Sequence, residues 1–404
     1  MPRTGAVAIV LAAVALSSCG DGARQGAYSV RDSSGVEIVS NPAAVPGDSL
    51  CPSVDSVPLL TIGGPDAEGP YDVQRVGGAL RVENGGVVVL DGATSELRFF
   101  DSAGRYARSV GRAGSGPGEF QRPAGLSWYA SDTLAVGDYA TARLSLLDAR
   151  GRFLAAIPLQ ALRGAEYLGR LGDGSLVLAA YHGYVAGSEA SGRRRDPMHV
   201  VSLTPTGVVR DTIGEFPGFE LVVVADEQRM SVALAPFGRG TFVAMHDGRL
   251  HVADNAEYRV RVYQEGRRLE LIVQREHAAV PISEADIRRE MARRAPSTPS
   301  RPQLEAVEQM LRRDQLPRSL PAHGPIFVDA EGWLWVRAYS DASEGDVSWD
   351  VFDASGRLRC AVSLPAALYP REIGRDFLLG VSTDADGVEQ VQLYRLRRGV
   401  RGTS

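Results

Sequence analysis

The sequence predicts an all-β fold built from a repeated hairpin unit, and three observations support this prediction. The unit contains a short apolar strand that ends in an aspartate, at Asp91, Asp138 and Asp254. In each copy, the next strand ends ten residues after this aspartate, at Asp101, Asp148 and Gln264. A glycine-rich segment that includes Gly-Pro-Gly-Glu-Phe, residues 116–120, separates the first two copies. Self-similarity at this period is typical of repeat architectures such as β-propellers.

These motifs resemble the NHL-type six-bladed β-propellers, whose repeats pair a Gly-Pro-Gly-Glu-Phe turn with a strand that ends in Ala-Asp. The resemblance extends from about residue 57 to residue 396 and implies one propeller over residues 34–398. The blades are expected at residues 71–110 and 123–159, from residue 167, around 242–254, and at 326–357 and 374–396. The last blade is the least regular, which is common for a terminal repeat.

Ring closure is predicted to use a strand from the N-terminal part of the chain. Residues 60–63 (Leu-Thr-Ile-Gly) are similar to residues 108–111 (Arg-Ser-Val-Gly), which form the outermost strand of blade one. No blade is predicted before residue 60, so this strand has to complete a blade from elsewhere. We therefore expect the strand around residues 59–62 to pair with residues 388–396, because a shared sheet leaves no strand edge unpaired.

A helical hairpin is predicted to interrupt the ring between blades four and five, over about residues 283–315. Ser283 and Asp286 have the spacing of a capping box at the start of the first helix. Pro302 lies near the first turn of the second helix, where proline is tolerated. Apolar residues then recur on one face of both helices. This insertion is the single break expected in the β pattern.

The N-terminal residues 1–18 are predicted to be a secretion signal. An apolar run from residue 5 to residue 16 follows Arg3 and is too short to span a bilayer. Residues 16–19 (Leu-Ser-Ser-Cys) resemble a bacterial lipobox, which implies cleavage before Cys19 and lipidation of its thiol. The alternative is a chance cysteine after a short apolar segment. Residues 19–33 are expected to be a flexible tether, and residues 399–404 a C-terminal tail.

Composition excludes several classes of function. The chain has no lysine, so all 44 basic residues are arginine. Walker A loops, Schiff-base lysines and pyridoxal sites all require a lysine and are excluded. The formal net charge is −5. A mildly acidic chain with scattered arginines does not have the concentrated positive charge that nucleic-acid binding needs.

Two cysteines, Cys51 and Cys360, remain if Cys19 carries lipid. In an oxidising envelope compartment such a pair favours one disulfide. The alternative is two buried free thiols.

No local motif assigns a catalytic residue, a metal site or a cofactor. The repeated aspartates are interpreted as turn formers, because an Asp after a buried strand can accept hydrogen bonds from nearby backbone N–H groups. The six histidines show no metal-ligand spacing, and the chain contains neither HExxH nor GxSxG. Metal ligands contributed by separate blades would be scattered in sequence, so this kind of site stays open.

Arginines are densest at Arg193, Arg194 and Arg195, within a polar segment expected as a loop between strands of blade three. They could form a site for an anion or an acidic partner, or they could belong to a solvated loop. A second group lies on the polar side of the first inserted helix and could approach anionic lipid headgroups or glycans. A solvated helix face is the alternative for these four residues, Arg288, Arg289, Arg293 and Arg294.

Together these features predict a lipid-anchored, envelope-facing β-propeller that acts as a binding or scaffold module. Its partner would be an envelope protein, a peptide or a glycan, and the anchor would hold it on a membrane. The alternative is an NHL-type metal-assisted lyase or hydrolase with a site in the central channel. Converging His, Asp and Glu side chains at the channel mouth would favour the enzyme. An apolar or arginine-lined mouth would favour binding.

Overall fold

The computed structural model describes residues 28–45, 47–162, 164–181, 192–225, 230–295, 301–340 and 345–399. The predicted signal peptide and Cys19 lie outside the described residues, as does the tail beyond Gly399. Across these ranges, neither α-helix has the length and hydrophobicity that crossing a membrane requires.

The strands group into six sheets, one per blade. Four strands come first: β1 (Ser29–Ser33), β2 (Val36–Asn41), β3 (Ser53–Val54) and β4 (Leu60–Gly63). Blade one has β5 (Val76–Arg81), β6 (Val87–Asp91), β7 (Glu96–Phe100) and β8 (Tyr106–Val110). Blade two has β9 (Pro123–Ala130), β10 (Thr133–Asp138), β11 (Arg143–Asp148) and β12 (Phe153–Pro158). Blade three has β13 (Glu166–Arg170), β14 (Leu176–Tyr181), β15 (Gly192–Leu203), β16 (Val209–Ala225) and β17 (Met230–Leu234).

Blade four has β18 (Thr241–His246), β19 (Arg249–Asp254), β20 (Arg259–Gln264) and β21 (Arg268–Arg275). The helices α1 (Glu284–Arg294) and α2 (Arg301–Met310) follow it. Blade five has β22 (Ile326–Val328), β23 (Leu334–Arg337), β24 (Asp346–Phe352) and β25 (Leu358–Pro365). Blade six has β26 (Leu368–Ile373), β27 (Phe377–Thr383) and β28 (Glu389–Arg397). The sequence pattern predicts that blade six starts at residue 374. In the structure its first strand, β26, lies before that residue.

Burial falls from the inner to the outer strands of a blade. Every residue of β6 is buried, whereas β8 at the outer edge is mostly exposed. The run Val-Val-Val-Leu in β6 suits this position, because its faces pack against neighbouring blades. One such core joins Leu97 and Phe99 of blade one to Leu134 of blade two. Packing of this kind between consecutive blades holds the ring together.

The ring closes as the sequence predicted. Strand β4 pairs antiparallel with β28, with Ile62 opposite Val391 and Leu60 opposite Leu393. Strand β3 pairs with the end of β28. Blade six therefore combines both ends of the chain in one sheet, and no outer edge of β28 is left along these residues.

Before it reaches blade six, the N-terminal part of the chain runs along the outer edges of blades four and five. We call residues 29–45 and 47–63 the N-terminal strap. Strand β2 pairs parallel with β21 of blade four, and β1 pairs with β2. The prediction of a flexible tether over residues 19–33 is wrong at its C-terminal end, because Ser29–Ser33 forms strand β1. The sequence repeats do not predict the pairing of β2 with β21, because this pairing depends on tertiary proximity.

Asn41 fixes the strap to two blades at once. Its side chain is buried, and its amide nitrogen donates to the carbonyl oxygens of Gln274 and Gly356, at 3.1 and 2.9 Å. The side-chain oxygen accepts from the backbone N–H of Leu358 at 2.7 Å. Farther along the strap, Cys51 forms a disulfide with Cys360 in β25, with Cα atoms 5.7 Å apart. The strap is thus clamped to blades four, five and six in turn.

The first strands of neighbouring blades contact one another, so they surround the central axis. Because adjacent strands are antiparallel, the start of each first strand and the end of each second strand lie on the same side of the ring. We call this side the upper face. It also carries the connections between blades, including the segment with α1 and α2.

A cap rises from the upper face over blades three to five. It consists of the upper parts of β15 and β16, strand β17, and the helices α1 and α2. Ser283 caps α1, and Ser283 and Asp286 form the predicted capping box. Phe237, Val307 and Leu311 share one apolar cluster, which joins the helices to the segment after β17. Arg193 also donates to the Gln315 carbonyl oxygen at 3.0 Å, so the cap is one unit.

Candidate functional site

The candidate site is the opening of the central channel on the upper face. Glu166 is the first residue of β13, and Tyr181 and Arg337 are the last residues of β14 and β23. Tyr139 follows β10 directly, and β26 contributes from its first residues. We define the channel mouth as Tyr139, Glu166, Tyr181, Arg337, Tyr369 and Arg371. Blades two, three, five and six all contribute to it.

The tyrosines of the channel mouth are accessible and yet surrounded by protein. Tyr139 and Tyr369 expose 39% and 43% of their surface. Burial nevertheless raises the pKa of both phenols, with Glu166 adding to the rise. Burial also raises the pKa of Tyr181, again with a contribution from Glu166. Side chains that solvent reaches but that protein atoms enclose are typical of the wall of a concave site.

Glu166 lies at the centre of this electrostatic network. Its side chain is exposed to the channel, but burial raises the pKa of its carboxyl, and the Arg371 guanidinium partly offsets this rise. Because the same carboxyl affects tyrosines of three blades, these groups face one space. A raised pKa means that this carboxyl takes up a proton more readily than an ordinary glutamate, and in its protonated form it both donates and accepts hydrogen bonds.

Two arginines supply positive charge at the channel mouth. Arg371 lies over the Tyr369 ring, 5.3 Å from its centroid, and donates to the Val76 carbonyl oxygen at 3.3 Å. Arg337 donates to the Ala366 carbonyl oxygen at 3.2 Å. Burial lowers the pKa of Arg337, while Tyr369 acts in the opposite direction. Guanidinium donors beside aromatic ring faces suit a polar ligand that carries negative charge or hydroxyl groups.

Arg193, Arg194 and Arg195 do not form an exposed loop. They lie in strand β15, and Arg193 pairs with Val222 of β16 in the ladder. Each guanidinium is in an ion pair, with Glu220, Asp196 and Asp254 respectively, all at 2.9 Å. The expected loop is therefore wrong for these residues, whereas the anion or partner site stays a prediction, one that their ion pairs within the cap and the adjoining blade do not favour.

The repeated aspartates have the structural role that the sequence predicted. Asp91 accepts from the backbone N–H of Ala93 at 2.8 Å, and Asp254 accepts from that of Ala256 at 3.0 Å. Asp138 accepts from four backbone N–H groups at 2.7–3.2 Å. The bonds of Asp138 fix the loop that carries Tyr139 of the channel mouth.

The described residues contain no group of three His, Cys, Asp or Glu side chains arranged to hold a metal ion. Two of the histidines, His251 and His323, are almost fully buried. Burial lowers the pKa of His251 to about 3 and that of His323 to about 4. Both are neutral core residues at physiological pH. His182 lies outside the described residues.

One comparison with known proteins agrees with the architecture. A family model described as a 6-bladed beta-propeller matches residues 73–158. A protein of Bacteroides fragilis NCTC 9343, described as exported, is 15% identical (TM-score 0.48) and covers 89% of this chain and 99% of its own. A DUF4221 family member from Bacteroides vulgatus ATCC 8482 is 11% identical (TM-score 0.49), covering 86% and 99%.

Virginiamycin B lyase from Staphylococcus aureus is 8% identical (TM-score 0.41), covering 83% of this chain and 98% of the lyase. No curated relative matches the chain. At these identities and TM-scores the three structures carry no argument about this chain. The family model and the order of strands around the ring lead to one conclusion: the protein is a six-bladed β-propeller.

Proposed function

We propose that this protein is a binding module whose ligand enters the channel mouth from the upper face. The observation that carries the proposal is the position of Glu166, Arg371 and three tyrosines from different blades near the strand ends that surround the central axis on one face. Arg371 lies over the Tyr369 ring there, and Tyr369 is 43% exposed. Ligand sites in rigid folds combine such a concave surface with a few polar groups that fix orientation. The ligand would be an envelope protein, a peptide or a glycan.

A binding role is favoured over the alternative of a metal-assisted lyase or hydrolase. The channel mouth combines one carboxyl group with two guanidinium groups, Arg337 and Arg371. Positive side chains disfavour a cation at the same place, because like charges repel in a partly desolvated site. Aromatic faces and guanidinium groups are, in contrast, the side chains enriched at binding hot spots.

The proposal is tested by capturing ligands from native envelopes with the full-length protein. A double variant, Tyr369→Ala with Arg371→Gln, should recover co-purifying molecules at roughly a tenth of the wild-type level or less, because it removes two hot-spot side chains. The matched control is Tyr106→Ala with Arg105→Gln on the outer edge of blade one, where Tyr106 is 38% exposed. Equal recovery by the folded mouth variant and the control would contradict the proposal.

We further propose that the protein is held at a membrane of the cell envelope through lipid on Cys19. Strand β1 begins at Ser29, ten residues after Cys19, and a chain of this length reaches at most about 33–36 Å. The propeller would therefore stay close to the membrane surface.

Substituting Cys19 tests the anchor. The Cys19→Ala variant should lose incorporation of an alkyne-labelled fatty acid and either leave the membrane fraction or remain unprocessed, because no other thiol lies at the cleavage site. The wild-type chain, expressed in parallel, is the reference for labelling and for partitioning into membranes. Unchanged labelling and partitioning of the variant would rule out this anchor.

A further inference from the structure

A second cavity, the cap pocket, lies between the cap and the upper ends of blades four and five. It has a volume of about 210 Å³ and is lined by Phe219, Phe242, Arg239 and Arg337 among others. Arg337 also belongs to the channel mouth, and the Tyr181 ring of the mouth lies 5.9 Å from the Phe219 ring. The cap pocket therefore borders the proposed binding site.

One wall of the cap pocket is aromatic. The rings of Phe219 and Phe242 meet edge to face, with centroids 5.3 Å apart. Phe237, which is buried, and Leu234 extend the apolar lining. Such a wall gains free energy by covering an apolar group of a ligand, because the apolar surface of both partners leaves water.

The polar lining carries an excess of positive charge. Four arginines and two glutamates line the cap pocket. Glu290 already accepts from Arg293 and Arg294, and Glu220 is paired with Arg193 at 2.9 Å. Within the described part of the chain, no ion pair involves Arg239 or Arg337.

Arg239 also has an unused donor. Its Nη2 atom donates to the backbone and side-chain oxygens of Ser319, both at 3.0 Å. Its Nη1 atom is buried and finds no hydrogen-bond acceptor among the described residues. Burial lowers the pKa of Arg239, as it does that of Arg337. Because Nη1 is enclosed, the rest of the guanidinium is what Arg239 contributes to the lining of the cap pocket, and its positive charge, which no ion pair among the described residues compensates, favours an anionic group there.

We propose that the cap pocket binds a single carboxylate carried on a large apolar group, as at the C-terminus of a peptide that ends in an aromatic residue. The planar guanidinium groups of Arg239 and Arg337 match the geometry of a carboxylate, and Phe219 and Phe242 cover the apolar part. At about 210 Å³ the pocket is smaller than the roughly 300–1,000 Å³ of sites for drug-sized ligands. It therefore accepts one terminal group of the ligand proposed above, and in this sense the inference rests on the proposed function.

The test is calorimetric titration of the full-length protein with N-acetyl-L-phenylalanine and, separately, with its C-terminal amide. The acid should bind roughly tenfold or more tightly than the amide, because the amide is uncharged and has one acceptor oxygen where the carboxylate has two. Arg239→Gln and Phe242→Ala should each lower the affinity of the protein for the acid by a similar factor. Arg210→Gln, an exposed arginine of β16 paired with Asp173, is the matched control and should leave binding unchanged.

Equal affinity for acid and amide, or no effect of Arg239→Gln in a folded variant, would overturn the inference. Inorganic phosphate that binds as tightly as the acid would show a simple anion site and would also overturn it. The two proposals fail separately. Loss of acid binding with capture at the channel mouth intact rejects the cap pocket, whereas acid binding without such capture rejects the proposed function.

Discussion

Replacing both disulfide cysteines, as Cys51→Ser with Cys360→Ser, is expected to lower the free energy of unfolding by about 2–5 kcal/mol. The bond closes a loop with a sequence separation of 309 residues. The loss of chain entropy on closing so long a loop sets an upper bound of roughly 5–6 kcal/mol. The measured value should fall below this bound, because the reduced strap is still held by β2, β4 and Asn41.

Chemical denaturation monitored by circular dichroism measures this effect. The wild-type protein, fully reduced, should approach the stability of the double variant, which separates loss of the bond from the serine substitutions themselves. A change smaller than about 0.5 kcal/mol, the usual range for surface substitutions, would mean that the strap is fixed without the disulfide.

Arg98→Met is expected to destabilise the protein by about 3–5 kcal/mol, because it leaves the buried Asp91 carboxylate without its counter-ion. The two side chains form an ion pair at 2.8 Å and are 6% and 1% exposed. Arg98 also donates to the Pro70 carbonyl oxygen at 3.0 Å, in the segment between the closing strand and blade one. Its loss therefore weakens the junction where the ring closes.

An exposed ion pair of the same blade provides the control for this prediction. Arg105 pairs with Asp101 at 2.8 Å, but the Arg105 side chain is 80% exposed. Arg105→Met should therefore change stability by less than about 1 kcal/mol. Denaturation curves for the two variants, recorded at the same ionic strength, should differ clearly. Similar losses for Arg98→Met and Arg105→Met would contradict the assignment of Arg98 as a buried partner.

Features that repeat or that depend on neighbours in sequence could be predicted. The closing strand at residues 60–63 was identified because it is similar to residues 108–111, and it pairs with β28 as expected. The helical hairpin was predicted from its capping box and apolar spacing, both local signals. The roles of Asp91, Asp138 and Asp254 followed from their position after a buried strand.

Features that depend on distant contacts could not be predicted. The three arginines at 193–195 lie in a strand because β15 and β16 extend above the ring, where acids of other segments compensate their charges. Nothing in the local sequence marks this extension. Strand β2 joins blade four in parallel, across more than 200 residues of chain.

The channel mouth was missed because each blade contributes only one or two of its residues. Tyr139 belongs to blade two and Tyr369 to blade six, with three blades between them in sequence, yet both face the same opening. A weak signal does exist in the sequence. Large polar or aromatic residues occur at the end of a second strand, directly after it, or at the start of a first strand, as at Tyr181, Tyr139 and Glu166 respectively. Interpreting that signal requires the strand ends, which single-sequence patterns locate least well.

The central claim is that the ligand occupies the channel mouth, and hydroxyl-radical footprinting of tyrosines tests it most directly. Tyr139 and Tyr369 expose 39% and 43% of their surface, and Tyr106 on the outer strand of blade one exposes 38%, so the three should oxidise to a comparable extent in the free protein. With ligand captured from native envelopes, we expect Tyr139 and Tyr369 to be protected and Tyr106 to react as before. Protection of Tyr106 with unchanged oxidation of Tyr139 and Tyr369 would contradict the claim.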